Sequence, residues 1–278
     1  MNASKTDRRC ARRLTAGATL FIALAGPAFA QDEPEESEPG RGWIVTIGAG
    51  AQADPRYPGA DDLSIGPMPI VGFRREGVPI PLEAPDEGWG FGVLGRESPV
   101  NIGPAIQFQG RRREQDVGAA VGNVGFTVEA GAFVHAFLGD NFRLRAEGRK
   151  GLGGHEGWVG DLGADFFTRS GDRYIFSIGP RVRLADDNYM DAYYGVTPAV
   201  AAATGLQAYD PGGGIHAVGA TAGLRHHFGA WGVHTYVRYD RLVGDAADSP
   251  IVAQFGSRDQ FGAGIGISYT FRVGGSRR

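Results

Sequence analysis

Charged side chains stand at alternate positions of three neighbouring segments of the sequence. The first and third segments carry arginines and the second carries aspartates: Arg143, Arg145, Arg149, Asp161, Asp165, Arg181 and Arg183. A spacing of two places such residues on one face of a β-strand. Because the rows have opposite signs, adjacent strands of this kind are predicted to form cross-strand ion pairs.

Histidines and loop acids are the other groups that could catalyse a reaction or bind a metal. His226 and His227 are adjacent and therefore point to opposite faces of a strand, while His216 has outward and His234 inward parity. This is not the spacing of a metal site. Aspartates in the predicted loops could activate water or hold calcium, but loop aspartates commonly cap the local backbone. We therefore predict no catalytic site, no metal and no cofactor.

A period of two runs through most of the chain and predicts the strands that position these groups. At residues 260–271, apolar side chains from Phe261 to Phe271 alternate with small or polar ones from Gly262 to Thr270. One apolar and one small or polar face are typical of a strand between lipid and a wet interior. We predict strands at 43–53, 63–74, 78–84, 89–95, 99–109, 124–138, 141–150, 157–168, 173–184, 215–228, 231–243 and 260–271.

The predicted connections alternate between short and long. Short turns at 139–140, 169–172 and 229–230 contrast with connections at 110–123 and 185–214. Outer-membrane barrels show this asymmetry, with short periplasmic turns and long outer loops. We therefore predict an all-β fold, an antiparallel transmembrane β-barrel of the outer membrane. It has about 12 strands, or 10 if a weak hairpin within 78–95 lies outside the wall.

In such a barrel the charged faces of the predicted strands turn to the lumen. A network of ion pairs that braces the wall is the interpretation we favour. The alternative is an anion-favouring constriction, since arginines outnumber acids among these residues.

The N-terminus predicts export from the cytoplasm. A basic stretch from Arg8 to Arg13 precedes a short apolar run, and Ala28-Phe29-Ala30 has the pattern of a cleavage site. We predict a cleaved signal peptide at 1–30, a disordered acidic periplasmic segment at 31–42, the barrel at 43–271 and a C-terminal tail at 272–278.

Composition excludes two further classes of protein. Without residues 1–30, the chain has 23 basic and 30 acidic residues, a net charge near −7. This chain lacks the basic excess needed to neutralise nucleic-acid phosphates. Cys10, the single cysteine, is removed with the signal peptide, so the mature chain forms no disulfide and has no cysteine metal site.

Three blocks of sequence contain distinctive motifs. Residues 50–74 contain Pro-Arg-Tyr-Pro-Gly-Ala-Asp-Asp and Gly-Pro-Met-Pro; residues 186–214 contain Asp-Asp-Asn-Tyr-Met-Asp-Ala-Tyr-Tyr-Gly-Val-Thr-Pro; residues 240–261 contain Gly-Asp-Ala-Ala-Asp-Ser-Pro-Ile. These blocks resemble the MipA/OmpV family of outer-membrane proteins, and the similarity covers essentially the whole mature chain. The residues that carry the family signature are Asp54, Pro55, Tyr57, Gly59, Asp61, Asp62, Tyr189, Tyr194, Gly195, Val196, Asp245, Asp248, Ser249 and Pro250.

This resemblance implies a non-enzymatic protein of the Gram-negative outer membrane. In the best-known member it implies a scaffold that joins a lytic transglycosylase to a peptidoglycan synthase, and hence a role in murein synthesis and remodelling. We expect a monomer in contact with outer-membrane lipid and lipopolysaccharide, inserted by the barrel-assembly machinery, with no nucleic-acid partner. The alternatives are a narrow small-solute channel with an arginine-rich lumen, and a surface adhesin or antigen built on loops 185–214 and 244–259.

Overall fold

Eleven strands form one antiparallel sheet in the computed structural model, which describes residues 42–94 and 98–274. The predicted signal peptide and residues 31–41 lie outside the described residues. Neighbouring strands follow the order β2-β1-β11-β10-β9-β8-β7-β6-β5-β4-β3. The strands are β1 Trp43–Pro55, β2 Leu63–Arg75, β3 Trp89–Gly90, β4 Val100–Gln109, β5 Thr127–Leu138, β6 Phe142–Leu152, β7 Trp158–Ser170, β8 Tyr174–Ala185, β9 Gly214–Phe228, β10 Trp231–Leu242 and β11 Asp259–Val273.

The sheet curls on itself, with an apolar outer face and a polar inner face. Ile65, Phe73 and Ile265 on the outer face are 82%, 67% and 61% exposed. A register shift of one residue would turn this apolar row inward, so the alternation fixes the pairing of the strands. An exposed apolar belt around a polar interior is the pattern of a transmembrane barrel. The predicted antiparallel barrel fold is therefore confirmed, with eleven strands in the described sheet in place of the twelve, or ten, that were predicted.

Short turns join the strands at one end of the barrel and long loops join them at the other. Gly139, Gly171 and Gly229 form the short turns, and each has a positive φ that favours glycine. The long loops contain five short helices: α1 Glu114–Val117, α2 Asp187–Tyr194, α3 Pro198–Thr204, α4 Gly244–Asp248 and α5 Pro250–Phe255. Across the described ranges, each helix is too short or too polar to cross a membrane.

Residues 78–84, predicted as a strand, form none; they run through the lumen instead. The extended segment 78–88, which we call the strap, connects the end of β2 to the start of β3. Pro79, Pro81 and Pro85 have no N–H to donate, which explains why an alternating pattern does not become a paired strand here. Leu82 and Ala84 on the other face are buried.

The strap makes the number of strands in the wall odd. Because one crossing is made inside the lumen, the wall has an odd number of strands, eleven, and β2 and β3 run in the same direction at its two edges. We call the boundary between them the seam. Along the seam, β2 has no pairing partner among the described residues.

Candidate functional site

A closed ring of alternating charges lies in the lumen. Five arginines and five carboxylates take part, and each carboxylate lies between two arginines. In order around the ring they are Arg183, Asp86, Arg181, Asp165, Arg143, Glu87, Arg145, Glu147, Arg149 and Asp161. All seven residues selected from the sequence are therefore brought together in one network.

Strand register explains how the wall supplies eight of the ten groups. Arg143 lies opposite Asp165 in the pairing of β6 with β7, and Asp161 lies opposite Arg183 in the pairing of β7 with β8. The corresponding contacts are short: 2.6 Å from Arg143 Nη2 to Asp165 Oδ2 and 2.8 Å from Arg183 Nη1 to Asp161 Oδ1. Directly opposed residues of opposite charge stabilise a strand pair.

The strap supplies the other two groups, Asp86 and Glu87. Asp86 accepts hydrogen bonds from Arg181 Nε at 2.8 Å and from Arg183 Nη2 at 3.1 Å. Glu87 pairs with Arg143, whose side chain is fully buried. Arginines outnumber acids among the seven residues taken from the sequence, but in the assembled ring Glu147 and the two strap acids balance the charges.

Little free space remains inside the ring. A cavity of about 20 Å³ lies between Asp86, Glu87, Glu147, Asp161 and Arg181. This is enough for about one water molecule. The ring therefore fills its level of the lumen on the side where the strap lies.

Arginines also hold the main chain of the strap. Arg143 Nη1 donates to Leu82 O at 3.1 Å, and Arg169 Nη1 donates to Ile80 O at 3.2 Å. Arg225 Nη2 donates to Glu83 O at 3.0 Å, and its Nη1 donates to Pro81 O at 3.4 Å. These side chains satisfy carbonyls that a neighbouring strand would otherwise satisfy. The wall thus binds the main chain of the strap in an extended conformation.

Four of the long loops pack together into a cap over the loop end of the barrel. The cap comprises residues 56–62, 110–126, 186–213 and 243–258. One of its two apolar clusters joins all four loops and contains Tyr57, Ala60, Val117, Val121, Val196, Leu206 and Ile251. The second packs Tyr189, Met190, Tyr193 and Tyr194 of α2 against the ends of the strands. The loop end of the barrel is thereby covered by buried aromatic side chains.

Arg112 joins two of the cap loops and was not selected from the sequence. Its guanidinium donates to Tyr193 O at 2.8 Å and to Val121 O at 3.3 Å. Burial lowers the pKa of Arg112 and raises the pKa of Tyr193 and of Tyr194. The tyrosine hydroxyls therefore remain neutral in this cluster.

The signature residues lie in or beside the cap. Ser249 Oγ donates to Tyr194 O at 2.7 Å, and Gly59 N donates to Gln260 Oε1 at 3.0 Å. Val196 pairs with Tyr209, and Gly195 ends α2. The carboxylates Asp54, Asp62, Asp245 and Asp248 bond to Arg238, Arg56, Gly212 N and Arg258 respectively. Pro55 ends β1, Pro250 begins α5, Tyr57 and Tyr189 are buried, and Asp61 is exposed.

His216 does not face outward as its parity predicts. The register between β8 and β9 shifts at Arg183 and Leu184, which reverses the alternation and buries His216 beside Tyr189, with ring centroids 5.2 Å apart. His227 and His234 both face inward, with ring centroids 5.9 Å apart. In residues 42–94 and 98–274, no three His, Cys, Asp or Glu side chains group as metal ligands would.

Comparison with known proteins yields one family and several solved barrels. The family model described as MltA-interacting protein MipA matches residues 47–271. A comparison with curated proteins gives no match.

Among solved structures, OmpT of Vibrio cholerae has 8% identity and a TM-score of 0.35, covering 86% of this chain and 100% of that one. The N-terminal β-barrel domain of Pseudomonas aeruginosa OprF has 12% identity and a TM-score of 0.25, covering 63% and 98%. OprG of Pseudomonas aeruginosa has 9% identity and a TM-score of 0.25, covering 84% and 98%. These TM-scores are low.

Proposed function

The chain belongs to the MltA-interacting protein MipA family, and we propose that it is a non-enzymatic, non-conducting scaffold of the outer membrane that takes part in peptidoglycan remodelling. The observation that supports this proposal is the strap, which lies in the lumen with the charge ring, below a mouth that the cap covers. A barrel built in this way is better suited to binding a partner protein than to conducting a solute.

The proposed orientation places the short turns in the periplasm and the cap outside the cell. The contact surface for partners is then the short turns, together with residues 31–42. The family description supports a lytic transglycosylase as one partner, and we propose a peptidoglycan synthase as another. We also propose a monomer whose apolar belt contacts lipid and lipopolysaccharide, inserted by the barrel-assembly machinery after cleavage of the signal peptide.

Conductance separates this scaffold from the narrow channel. The mature protein is folded into detergent, its closed barrel is confirmed by heat-dependent gel migration, and single-channel currents are recorded in a planar bilayer. We expect a correctly folded and electrically silent protein. Reproducible open steps would contradict the non-conducting scaffold.

Affinity capture tests the partners and the orientation together. Asp140→Lys with Arg173→Glu changes two exposed side chains at the short-turn end without altering net charge. Asp61→Lys with Arg111→Glu is the matched control at the cap. We expect capture of murein hydrolase or synthase from cross-linked cells to fall with the first pair and to persist with the second. Absence of both enzymes from wild-type captures would contradict the scaffold.

The adhesin alternative has less support than the scaffold. Loops 185–214 and 244–259 place Tyr189, Tyr193, Tyr194 and Ile251 inside the cap, at 5% exposure or less. Their largest side chains therefore stabilise the barrel mouth and are not presented to a surface. Deleting exposed loop residues without loss of host binding would remove the adhesin hypothesis.

A further inference from the structure

We propose that the lumen wall is a binding groove for an extended acidic peptide of a partner protein, and that the strap occupies this groove as an intramolecular substitute. The strap is held both by its side chains and by its main chain. Its carboxylates bind arginines of the ring, and its main-chain carbonyls bind other arginines.

The contacts to the main chain favour a peptide over a small anion. Four consecutive residues, Ile80 to Glu83, have carbonyls that accept hydrogen bonds from Arg143, Arg169 or Arg225. Carbonyls are present in any peptide, so these contacts select an extended backbone and do not depend on its sequence. A free carboxylate would make none of them.

The charges of the wall select acidic side chains at one end of the peptide. Without Asp86 and Glu87, the ring retains five arginines but three carboxylates, namely Glu147, Asp161 and Asp165. The ring without the strap therefore has two positive charges in excess, while Arg149 and Arg183 keep Glu129 and Asp240 of the wall as further partners. Planar guanidinium groups bind carboxylates through two parallel hydrogen bonds, as Arg181 does with Asp86 at 2.8 and 3.2 Å.

The strap is also placed so that it can be exchanged. It packs on the wall through Leu82 and Ala84, while Pro79, Pro81 and Glu83 on its other face are exposed. Leu82 contacts Phe167 and Ile175, which form an apolar subsite in the middle of the groove. A competing peptide needs a central apolar residue followed, a few residues later, by two acids.

Peptide binding in trans tests this inference. Residues 79–87 are replaced by a Gly/Ser linker of equal length, and folding is checked by heat-dependent gel migration. A fluorescently labelled synthetic peptide of residues 78–88 is then titrated by anisotropy. We expect the strapless barrel to bind it at least tenfold more tightly than wild type does, and a peptide with Asp86→Asn and Glu87→Gln to bind at least tenfold more weakly.

A disulfide lock tests the groove with the strap in place. A Cβ added to Gly223 would lie 2.9 Å from Pro85 Cγ, so Pro85→Cys with Gly223→Cys brings two thiols near each other for a disulfide. This pair is made in a chain whose own strap carries Asp86→Asn and Glu87→Gln. We expect the reduced protein to bind the peptide and the oxidised protein not to bind it. Arg241→Gln, at an exposed position outside the lumen, is the control and should leave binding unchanged.

Three results would overturn the inference. Equal binding by the oxidised and reduced proteins would place the peptide outside the groove. A folded strapless barrel that binds neither peptide, or binds both equally, would show that the arginines do not recognise acids. Competition by free succinate at the same concentration as the peptide would identify a site for small anions and not for peptides.

Discussion

Arg143 is the side chain on which the lumen most depends. It is fully buried and contacts Asp165, Glu87 and Leu82 O, so it joins β6, β7 and the strap. A buried ion pair adds little net stability compared with an apolar core, but removal of one partner leaves an uncompensated charge. Arg143 therefore contributes to stability mainly by neutralising the buried carboxylates of Asp165 and Glu87.

Arg143→Ala should lower the free energy of unfolding by about 3–5 kcal/mol, because Asp165 and Glu87 would remain buried without it. Arg241→Ala is the control, since Arg241 pairs with Asp259 at 2.7 Å on the surface, where loss of a pair costs about 0–1 kcal/mol. Urea unfolding of the refolded protein, followed by tryptophan fluorescence, measures both. Equal midpoints for the two variants would show that the ring does not brace the wall.

Arg112→Ala should loosen the cap without affecting the barrel. The carbonyls of Tyr193 and Val121 would lose their donor, and each buried unpaired group costs about 1–3 kcal/mol. We expect faster proteolysis within 110–126 and unchanged heat-dependent gel migration. The adjacent Arg111→Ala, an exposed position, should be cleaved at the wild-type rate; if it is not, charge alone accounts for the effect.

The residues of the ring differ in how well the sequence predicted them. Alternation in the sequence identified Arg143, Asp161, Asp165, Arg181 and Arg183. Paired strands keep alternate side chains on one face, so these residues meet in the lumen. Glu147 follows from the same alternation. Asp86 and Glu87 could not be recognised, because their place depends on the strap entering the lumen.

At the scale of elements, the cap helices begin at residues whose types mark helix N-termini. Asp186, Thr197 and Ser249 accept hydrogen bonds from the backbone of the first turn, and Pro198 and Pro250 follow the last two. A capping residue followed by proline is a start signal for a helix. The helices were therefore predictable from this chemistry, although the sequence pattern gives these segments only as long connections.

Ser249→Ala should be more destabilising than Thr197→Ala. Both lose an N-cap, which costs about 1 kcal/mol. Ser249 is fully buried and also donates to Tyr194 O, so its loss leaves an unpaired buried carbonyl that costs about 1–3 kcal/mol more. Urea unfolding of the two variants measures the difference. Identical midpoints would mean that α5 does not anchor α2.

The strap shows where periodicity misleads. Val78, Ile80, Leu82 and Ala84 alternate with prolines and a glutamate, as residues of a half-buried strand do. The prolines lack the backbone N–H groups that a paired strand would donate. Arginine side chains, and not a neighbouring strand, donate hydrogen bonds to the strap carbonyls. His216 is a second case, since a bulge is a tertiary adjustment that alternation alone does not reveal.

For the whole molecule, the seam predicts unequal protection of backbone amides along β2. Glu76 N bonds to Gly42 O at 2.9 Å, and Arg56 N bonds to Asp62 O at 3.1 Å. The backbone N–H and C=O groups of even-numbered residues in β2 therefore point towards β1. The backbone N–H and C=O groups of odd-numbered residues point towards the seam, and Pro67 and Pro69 among these residues have no N–H.

Hydrogen exchange measured by NMR in detergent tests this arrangement. We expect the amides of Ile65, Val71 and Phe73 to exchange faster than those of Ile70 and Gly72, because only the second set is bonded within the sheet. The amides of β11, which is paired on both sides, are the internal control. Equal protection of both sets would show that β2 has a partner along the seam.

The strap is continuous with β2 at one end and with β3 at the other, so it cannot leave the molecule when it leaves the groove. Its return is a unimolecular step whose rate is independent of protein concentration. For a short flexible tether the effective concentration is on the order of millimolar, so a competing peptide must exceed that level or bind much more tightly. The groove therefore opens only where a partner is held close to the barrel, and it closes again without any other component when that partner departs.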